Sequence, residues 1–335
     1  MTTRVVAACC AKINLGLRVL GRRPDGFHEI QSVLQTIDLC DELVLESDSG
    51  LSLTVEGRYV VPADESNLVM KAARALSRRY PGRGARMVLR KSIPAGSGLG
   101  GGSSNAAAAL LALARLWGLD ADPGLLYSIA SSLGSDVPFF LYGGTCLALG
   151  RGDEVMPMPD GPSWSVVVVW PGLELSTREV YAGLPAVVRT TTGLPAPLTM
   201  PRNLSSMKGF VPGHPELPDG KVVGSLQAEA PGHATGQRGR AARGSGEVPD
   251  VENDLEGIAF LKVPALKRLK DRLLGSGAVA AALTGSGSAV FGLYPSPRGT
   301  EKAAASLATG GSVAFVCRTL SRDAYGLNLF QRSQT

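Results

Sequence analysis

Pro94-Ala-Gly-Ser-Gly-Leu-Gly-Gly-Gly-Ser-Ser-Asn105, running straight into the Ala/Leu stretch Ala106–Leu116, decides how the rest of the chain is read. Gly96, Gly98, Gly100, Gly101 and Gly102 leave no side chains to pack a core. They let the backbone take positive φ and approach a ligand without interference from Cβ. Ser103, Ser104 and Asn105 stand where a helix should begin, and each is a good N-cap type. Free N–H groups and partial positive charge at that helix start predict an anion cradle, and a nucleotide phosphate is the anion it suits.

Two better-known loops compete for the same residues. The pattern G-x-x-x-x-G-K-[ST] is absent, because no lysine follows these glycines. A G-x-G-x-x-G match exists at Gly96, Gly98 and Gly101, with Asp120 and Asp122 about twenty residues on. A dinucleotide loop needs a buried apolar strand before it. Arg86-Met-Val-Leu-Arg-Lys-Ser-Ile-Pro94 is polar at both ends and closed by proline. A flexible linker is disfavoured by the strong helix former that follows.

The 335 residues suffice for two domains with substantial cores, and 44% hydrophobic with 19% charged residues describes an ordinary globular chain. A net charge of +5 with no basic run suits a phosphorylated small molecule and gives no nucleic-acid footprint. Cys9, Cys10, Cys40, Cys146 and Cys317 are odd in number and contain no C-x-x-C pair. They predict buried thiols in a reducing cytoplasm, without disulfide framework or zinc site. No targeting segment and no apolar stretch of membrane-spanning length is evident.

Outward from the loop, residues 4–20 read as a strand ending in the turn Gly21–Gly26, with strand content over 29–46 and 51–56. Helices are predicted over Asn67–Tyr80, from the loop to about Leu116, and over 123–133. Strands follow at 145–149 and 164–170. Residues 185–250, rich in Pro and Gly with scattered Arg, read as a mobile insertion. Asn253-Asp-Leu-Glu256 opens a helix over 253–274, then strands at 279–284 and 289–294, a helix near 299–309 and a final strand at 313–319. The alternation predicts α/β or α+β layers, divided at 155/156.

Three motifs in order, Ala11-Lys-Ile-Asn14, Pro94–Asn105 and Leu283-Thr-Gly-Ser-Gly-Ser288, resemble those of the GHMP small-molecule kinases. Ala11–Leu15, Arg23-Pro-Asp-Gly-Phe-His28, Gly134-Ser-Asp-Val-Pro-Phe-Phe140, Asn253–Glu256 and Ser321-Arg-Asp-Ala-Tyr325 narrow the resemblance to the branch acting on 4-diphosphocytidyl-2-C-methyl-D-erythritol. The resemblance covers nearly the whole chain outside 185–250. It implies a two-domain fold with ATP and the substrate alcohol meeting in the cleft between domains, Mg²⁺ on the ATP phosphates, and a monomer or weak homodimer with no nucleic-acid or membrane partner.

By this resemblance Asp136 orients and deprotonates the attacking hydroxyl, although locally it also reads as a turn residue. Lys12, which alone on a strand would face solvent, points beside Asp136 and steadies the transferring phosphoryl group. Asn14, on the same strand face, hydrogen-bonds the substrate. Phe27 and His28 form the cytidine pocket, faced by Thr177 and Tyr181, the latter reading equally well as core. Pro94, Ala95, Gly96, Ser97, Gly98, Leu99, Gly100, Gly101, Gly102, Ser103 and Ser104 hold the ATP phosphates, with Asn67 and Leu68 on the adenine side. The superfamily's metal-holding Glu has no identified counterpart, which leaves Ser104 as a candidate. Other GHMP kinases and a catalytically silent ligand sensor of the same fold are the rival readings. Phe27-His28 speaks against the first, and retention of Lys12 with Asp136 against the second.

Overall fold

Two long strands carry the architecture. In the computed structural model, which describes residues 3–184, 249 and 251–331, β1 (Arg4–Arg22) and β2 (His28–Asp48) pair antiparallel along almost their full length. A turn held by Arg23 N–H donating to Phe27 O at 2.8 Å joins them. β1 is buried from Val5 to Asn14, so it has a core on both faces. That explains why its apolar run does not alternate cleanly.

β3 (Leu51–Gly57), β4 (Gly84–Lys91), β5 (Thr145–Leu149), β6 (Glu154–Pro157) and the short β8 (Glu252–Asn253) complete this first sheet, whose main path runs β3-β4-β2-β1-β8. Helices α1 (Leu68–Arg79), α2 (Gly101–Leu116) and α3 (Pro123–Leu133) cover one face. Ala106 to Ala109 and Ala112 are all buried, so α2 is an interior helix that small side chains let lie close to the sheet. Asp122, an acid of the weak dinucleotide match, N-caps α3 by accepting from Gly124 N and Leu125 N.

The second sheet runs β11-β7-β10-β9, all antiparallel: β7 (Ser165–Trp170), β9 (Ala280–Leu283), β10 (Val290–Tyr294) and β11 (Val313–Arg318). Its four consecutive valines divide by strand parity. Val167 and Val169 face a core under α7 (Pro264–Gly275) and α8 (Thr300–Leu307). Val166 and Val168 face a second core with Phe291 and Leu293, which meets Ala11 and Ile13 of β1. This second core joins the two sheets. Each fully buried side chain of this kind contributes roughly 1.5–3 kcal/mol, so the two halves are firmly joined along β1.

Several expectations are corrected. The helix over 253–274 is two helices, α6 (Glu256–Lys262) and α7, because Pro264 cannot continue the hydrogen-bond ladder. The chain does not end its fold on the strand at 313–319. α9 (Arg322–Gln331) follows and returns to the first sheet, where Leu329 joins the core under α1 and α2. Together with β8 it crosses the linear division at 155/156 twice. The short α4 (Phe139–Tyr142) and α5 (Thr177–Ala182) were also not anticipated.

Cys10 and Cys40 stand directly opposite in the β1–β2 register and are joined by a disulfide, against the expectation of five unbonded thiols. Strand register over a separation of thirty residues brings them together, and an odd cysteine count does not reveal it. Cys9, Cys146 and Cys317 are free and buried. Burial pushes the Cys9 and Cys146 thiols up to about 12, so neither ionises near neutrality. The proposed insertion at 185–250 lies outside the described residues but for Pro249. Among the described residues no helix is long and apolar enough to cross a membrane.

Candidate active site

Where β1 passes the start of α2, five segments converge: the strand itself, the glycine loop, the turn before α4, the loop between β9 and β10, and the segment leading into α5. The loop enters α2 through Gly100, whose φ of 71° places it in the left-handed region. Gly100 is therefore the N-cap, without a side-chain cap, and Ser103, Ser104 and Asn105 lie inside the first turns instead of capping them. A Cβ on Gly100 would stand 2.9 Å from Phe140 Cζ and 3.0 Å from Lys12 Cγ. One on Gly98 (φ 81°) would stand 2.2 Å from Thr284 O. Glycine is required at both positions by backbone angle and by close approach together.

The loop's other members divide by exposure. Pro94, Ser97, Leu99, Gly101 and Ser104 are buried, while Gly96 and Gly102 are exposed and Ala95 and Ser103 lie between. Ser97 Oγ donates to Pro94 O at 2.7 Å, and Ser97 O accepts from Ala289 N at 2.9 Å, which ties the loop to the second sheet. Ser104 Oγ is buried with no hydrogen-bond partner among the described residues. A buried hydroxyl at a helix start is costly to leave unpaired, and its donor set fits a phosphate oxygen or a hard cation carried by phosphates. Among the described residues no group of three or more His, Cys, Asp or Glu is placed to hold a metal by itself.

Lys12 and Asp136 come together. Lys12 N–H donates to Leu99 O at 2.9 Å, and its Nζ, 3% exposed, lies 3.5 Å from Asp136 Oδ2. Asp136 keeps 39% of its side chain exposed. It sits in the turn between α3 and α4, whose neighbour Val137 is fully buried and donates to Gly134 O. The pair is thus a buried ammonium beside a partly exposed carboxylate.

Asn14 is more committed than expected. Its Oδ1 accepts from Lys12 Nζ (2.8 Å), Thr284 Oγ1 (3.1 Å) and Gly285 N (2.8 Å), and its Nδ2 donates to Ser32 Oγ (2.8 Å). Asn14 therefore aims Lys12 and joins the two sheets' loops. Thr284 also donates to Gly98 O at 3.2 Å. Asn253 fixes the same loop by donating to Leu283 O and Gly285 O. Thr284 and Ser32 have no role assigned from sequence, and Asn253, expected to open a helix, lies in β8 instead. The Thr-Gly-Ser-Gly motif was the one local signal for the first.

The other end of the site is built from side chains. His28 and Tyr181 rings lie 4.9 Å apart, and Arg151 Cζ lies 5.5 Å from the centroid of the Phe27 ring, which is 52% exposed. Burial, helped by the nearby Arg22 charge, holds the His28 imidazole below its ordinary pKa. Burial pushes the Tyr181 phenol up, and the Asp136 carboxylate adds to it. Phe27 and His28 are chain neighbours where β2 begins, and Tyr181 faces His28 from α5. Thr177 Oγ1 lies 2.8 Å from Ser286 Oγ, which tethers α5 to the β9–β10 loop. Asn67 N-caps α1 through Val69 N and donates to Pro62 O, while Leu68 Cδ1 would lie 3.6 Å from a Cβ on Gly102. The start of α1 thus flanks the start of α2.

Residues 67–144 match the model of the GHMP kinases N terminal domain and residues 236–313 that of the GHMP kinases C terminal domain. The chain is 40% identical over 286 residues to a 4-diphosphocytidyl-2-C-methyl-D-erythritol kinase of Solibacter usitatus, covering 85% of this chain and 79% of that one. It is 36% identical to the enzyme of the same name from Pelotomaculum thermopropionicum, covering 95% and 98%. A crystal structure of 4-(cytidine 5'-diphospho)-2C-methyl-D-erythritol kinase superposes with a TM-score of 0.69 at 32% identity, covering 94% and 98%. Glycine loop, lysine–aspartate pair and aromatic wall are therefore borne on a two-half fold with full-length counterparts, and the chain belongs to the 4-diphosphocytidyl-2-C-methyl-D-erythritol kinase family of the GHMP kinases, ATP-dependent small-molecule kinases.

Proposed function

We propose that this kinase transfers the γ-phosphoryl group of ATP to the 2-hydroxyl of 4-diphosphocytidyl-2-C-methyl-D-erythritol, with Lys12 and Asp136 at the reacting atoms. The observation that carries the reading is the 3.5 Å pair of a buried ammonium and a half-open carboxylate, hydrogen-bonded through Lys12 N to the glycine loop. Phosphoryl transfer needs alignment and charge stabilisation more than covalent help from the protein. Asp136 takes the hydroxyl proton as the alcohol oxygen bonds to Pγ and the bond to the ADP oxygen breaks. Lys12, buried and aimed by Asn14, stabilises charge on the phosphoryl oxygens.

The loop from Pro94 to Ser104 would cradle the triphosphate against the α2 start, with Asn67 and Leu68 towards the base. Mg²⁺ would be held by the ATP phosphates with Ser104 Oγ, and when bound it neutralises phosphate charge. Phe27, His28, Thr177 and Tyr181 would receive the cytidine end. A soluble ATP pool supports a cytoplasmic setting, and the mild, dispersed charge supports a small-molecule partner without nucleic acid or membrane. A monomer or weak homodimer would suffice, since one chain supplies every group invoked.

The test is ADP release with Mg-ATP and the cytidine diphospho-methylerythritol, offered beside mevalonate, homoserine and galactose. Turnover with the cytidine compound alone is expected. Turnover with another alcohol instead would overturn the cytidine assignment, and ATP binding without any turnover would revive the sensor reading.

A further inference from the structure

Behind the glycine loop lies a polar cluster that touches none of the reacting groups. Asp41 of β2 is 1% exposed, and its carboxylate is surrounded by donors. Oδ1 accepts from Ser92 N at 2.7 Å and Ile93 N at 2.8 Å. Oδ2 accepts from Asn105 Nδ2 at 2.9 Å and pairs with the buried Lys91 ammonium. Lys91 Nζ also donates to Asn105 Oδ1 at 3.1 Å, and a Cβ on Gly101 would lie 3.3 Å from it.

Ser92 and Ile93 are the residues at which the loop leaves β4, and Asn105 is where the loop has become helix. One carboxylate therefore grips both ends of a segment whose middle carries positive φ at Gly96, Gly98 and Gly100. A glycine-rich segment left to itself samples many conformations, and binding a ligand would have to order it. Fixing both ends in advance removes part of that cost, which is preorganisation. Buried charge is normally avoided, and a buried pair is weak evidence for stability alone. Its four donors all come from the loop's two ends and the strand before it.

We propose that Asp41 is a positioning residue for the nucleoside triphosphate: it clamps the entry of the glycine loop to the first turns of α2 and so sets affinity for the phosphate ligand without touching it. The inference rests on the reading of that loop as the triphosphate site.

Asp41→Asn keeps the shape and can still accept from Ser92 N and Ile93 N, but it turns a donor towards Asn105 Nδ2 and Lys91. Asn105→Ala cuts the helix end of the clamp while leaving the Asp41–Lys91 pair, and serves if the first variant does not fold. Calorimetric binding of a non-hydrolysable ATP analogue to the full chain is the primary readout. Either folded variant is expected to bind the analogue about tenfold more weakly. KM for ATP should rise with it, while KM for the alcohol stays within about twofold. A merely structural lesion would lower the active fraction, and hence apparent kcat, with the analogue's dissociation constant unmoved. An analogue affinity within about twofold of wild type in a folded variant, or equal weakening of both ligands, would overturn the proposal. Wild-type chain that binds the analogue but phosphorylates none of the offered alcohols would sink the proposed reaction and leave the role of Asp41 standing.

Discussion

The phosphate end and the aromatic end of the cleft are built by opposite means. At the glycine loop nearly every polar group of the surrounding frame is already engaged: Asn14 makes four hydrogen bonds, Asp41 holds both loop ends, and Ser97 spans the two sheets. Among the described residues there, Ser104 Oγ alone is buried without a partner. At the other end Phe27 is half exposed with Arg151 over its ring, and His28 and Tyr181 meet ring to ring from separate elements. A triphosphate is flexible and highly charged, and donors held in place beforehand reward it most. A flat base is gripped by faces, and stacking tolerates small displacements. One end is a cross-braced polar frame and the other a set of ring faces, so damage at the two ends should read out differently.

The largest effect should come from the Lys12–Asp136 pair. Asp136→Asn should lower kcat by about 10³-fold, within the span of general-base catalysis, with ATP-analogue affinity unchanged. Near-normal turnover in that variant would remove Asp136 from the proton's path. Lys12→Met should cost about 10²- to 10³-fold in kcat, as loss of a preorganised charge does. Should it instead raise KM for the cytidine substrate alone, the division between the two ends fails. Tyr181→Ala should raise that KM by about tenfold, the worth of one stacked base, with KM for ATP and kcat little altered.

The smallest expected effect is a pH independence. The His28 imidazole is held below its ordinary value of 6.5, so the neutral form is favoured and protonation arrives only at lower pH. KM for the cytidine substrate should then stay level as pH falls from about 8 to 6.5, and any rise should begin below that. A rise centred above 6.5 would mean that His28 gains a proton on folding and is not shielded as described.

Much of the phosphate end was legible because its requirements are local. Gly98 and Gly100 need left-handed angles that only a run of glycines advertises, and the alanines after them announce an interior helix. The helix start was misplaced because Gly100, which needs no side-chain cap, entered the helix before the serines could cap it. Asp41 and Ser32 were invisible for another reason. Ser32 works through strand register with β1 and Asp41 through a loop more than fifty residues on, and a lone Asp or Ser on a strand carries no sign of either. The Cys10–Cys40 pairing has the same origin. Pro264 was legible and was read through, since periodicity on both sides of it continued the helical pattern.

α9 packs on the sheet laid down by the first strands, and Tyr325 Oη donates to Phe140 O at 2.6 Å, four residues past Asp136. The Tyr325 ring also fills the space over Gly143, where a Cβ would stand 2.0 Å from it. Synthesis delivers residue 325 long after the glycine loop, β1 and the aspartate turn. The turn that bears Asp136 is thus backed by the last described helix, added after every other element of the site. A chain clipped before Arg322 is expected to keep its grip on nucleotide better than its turnover.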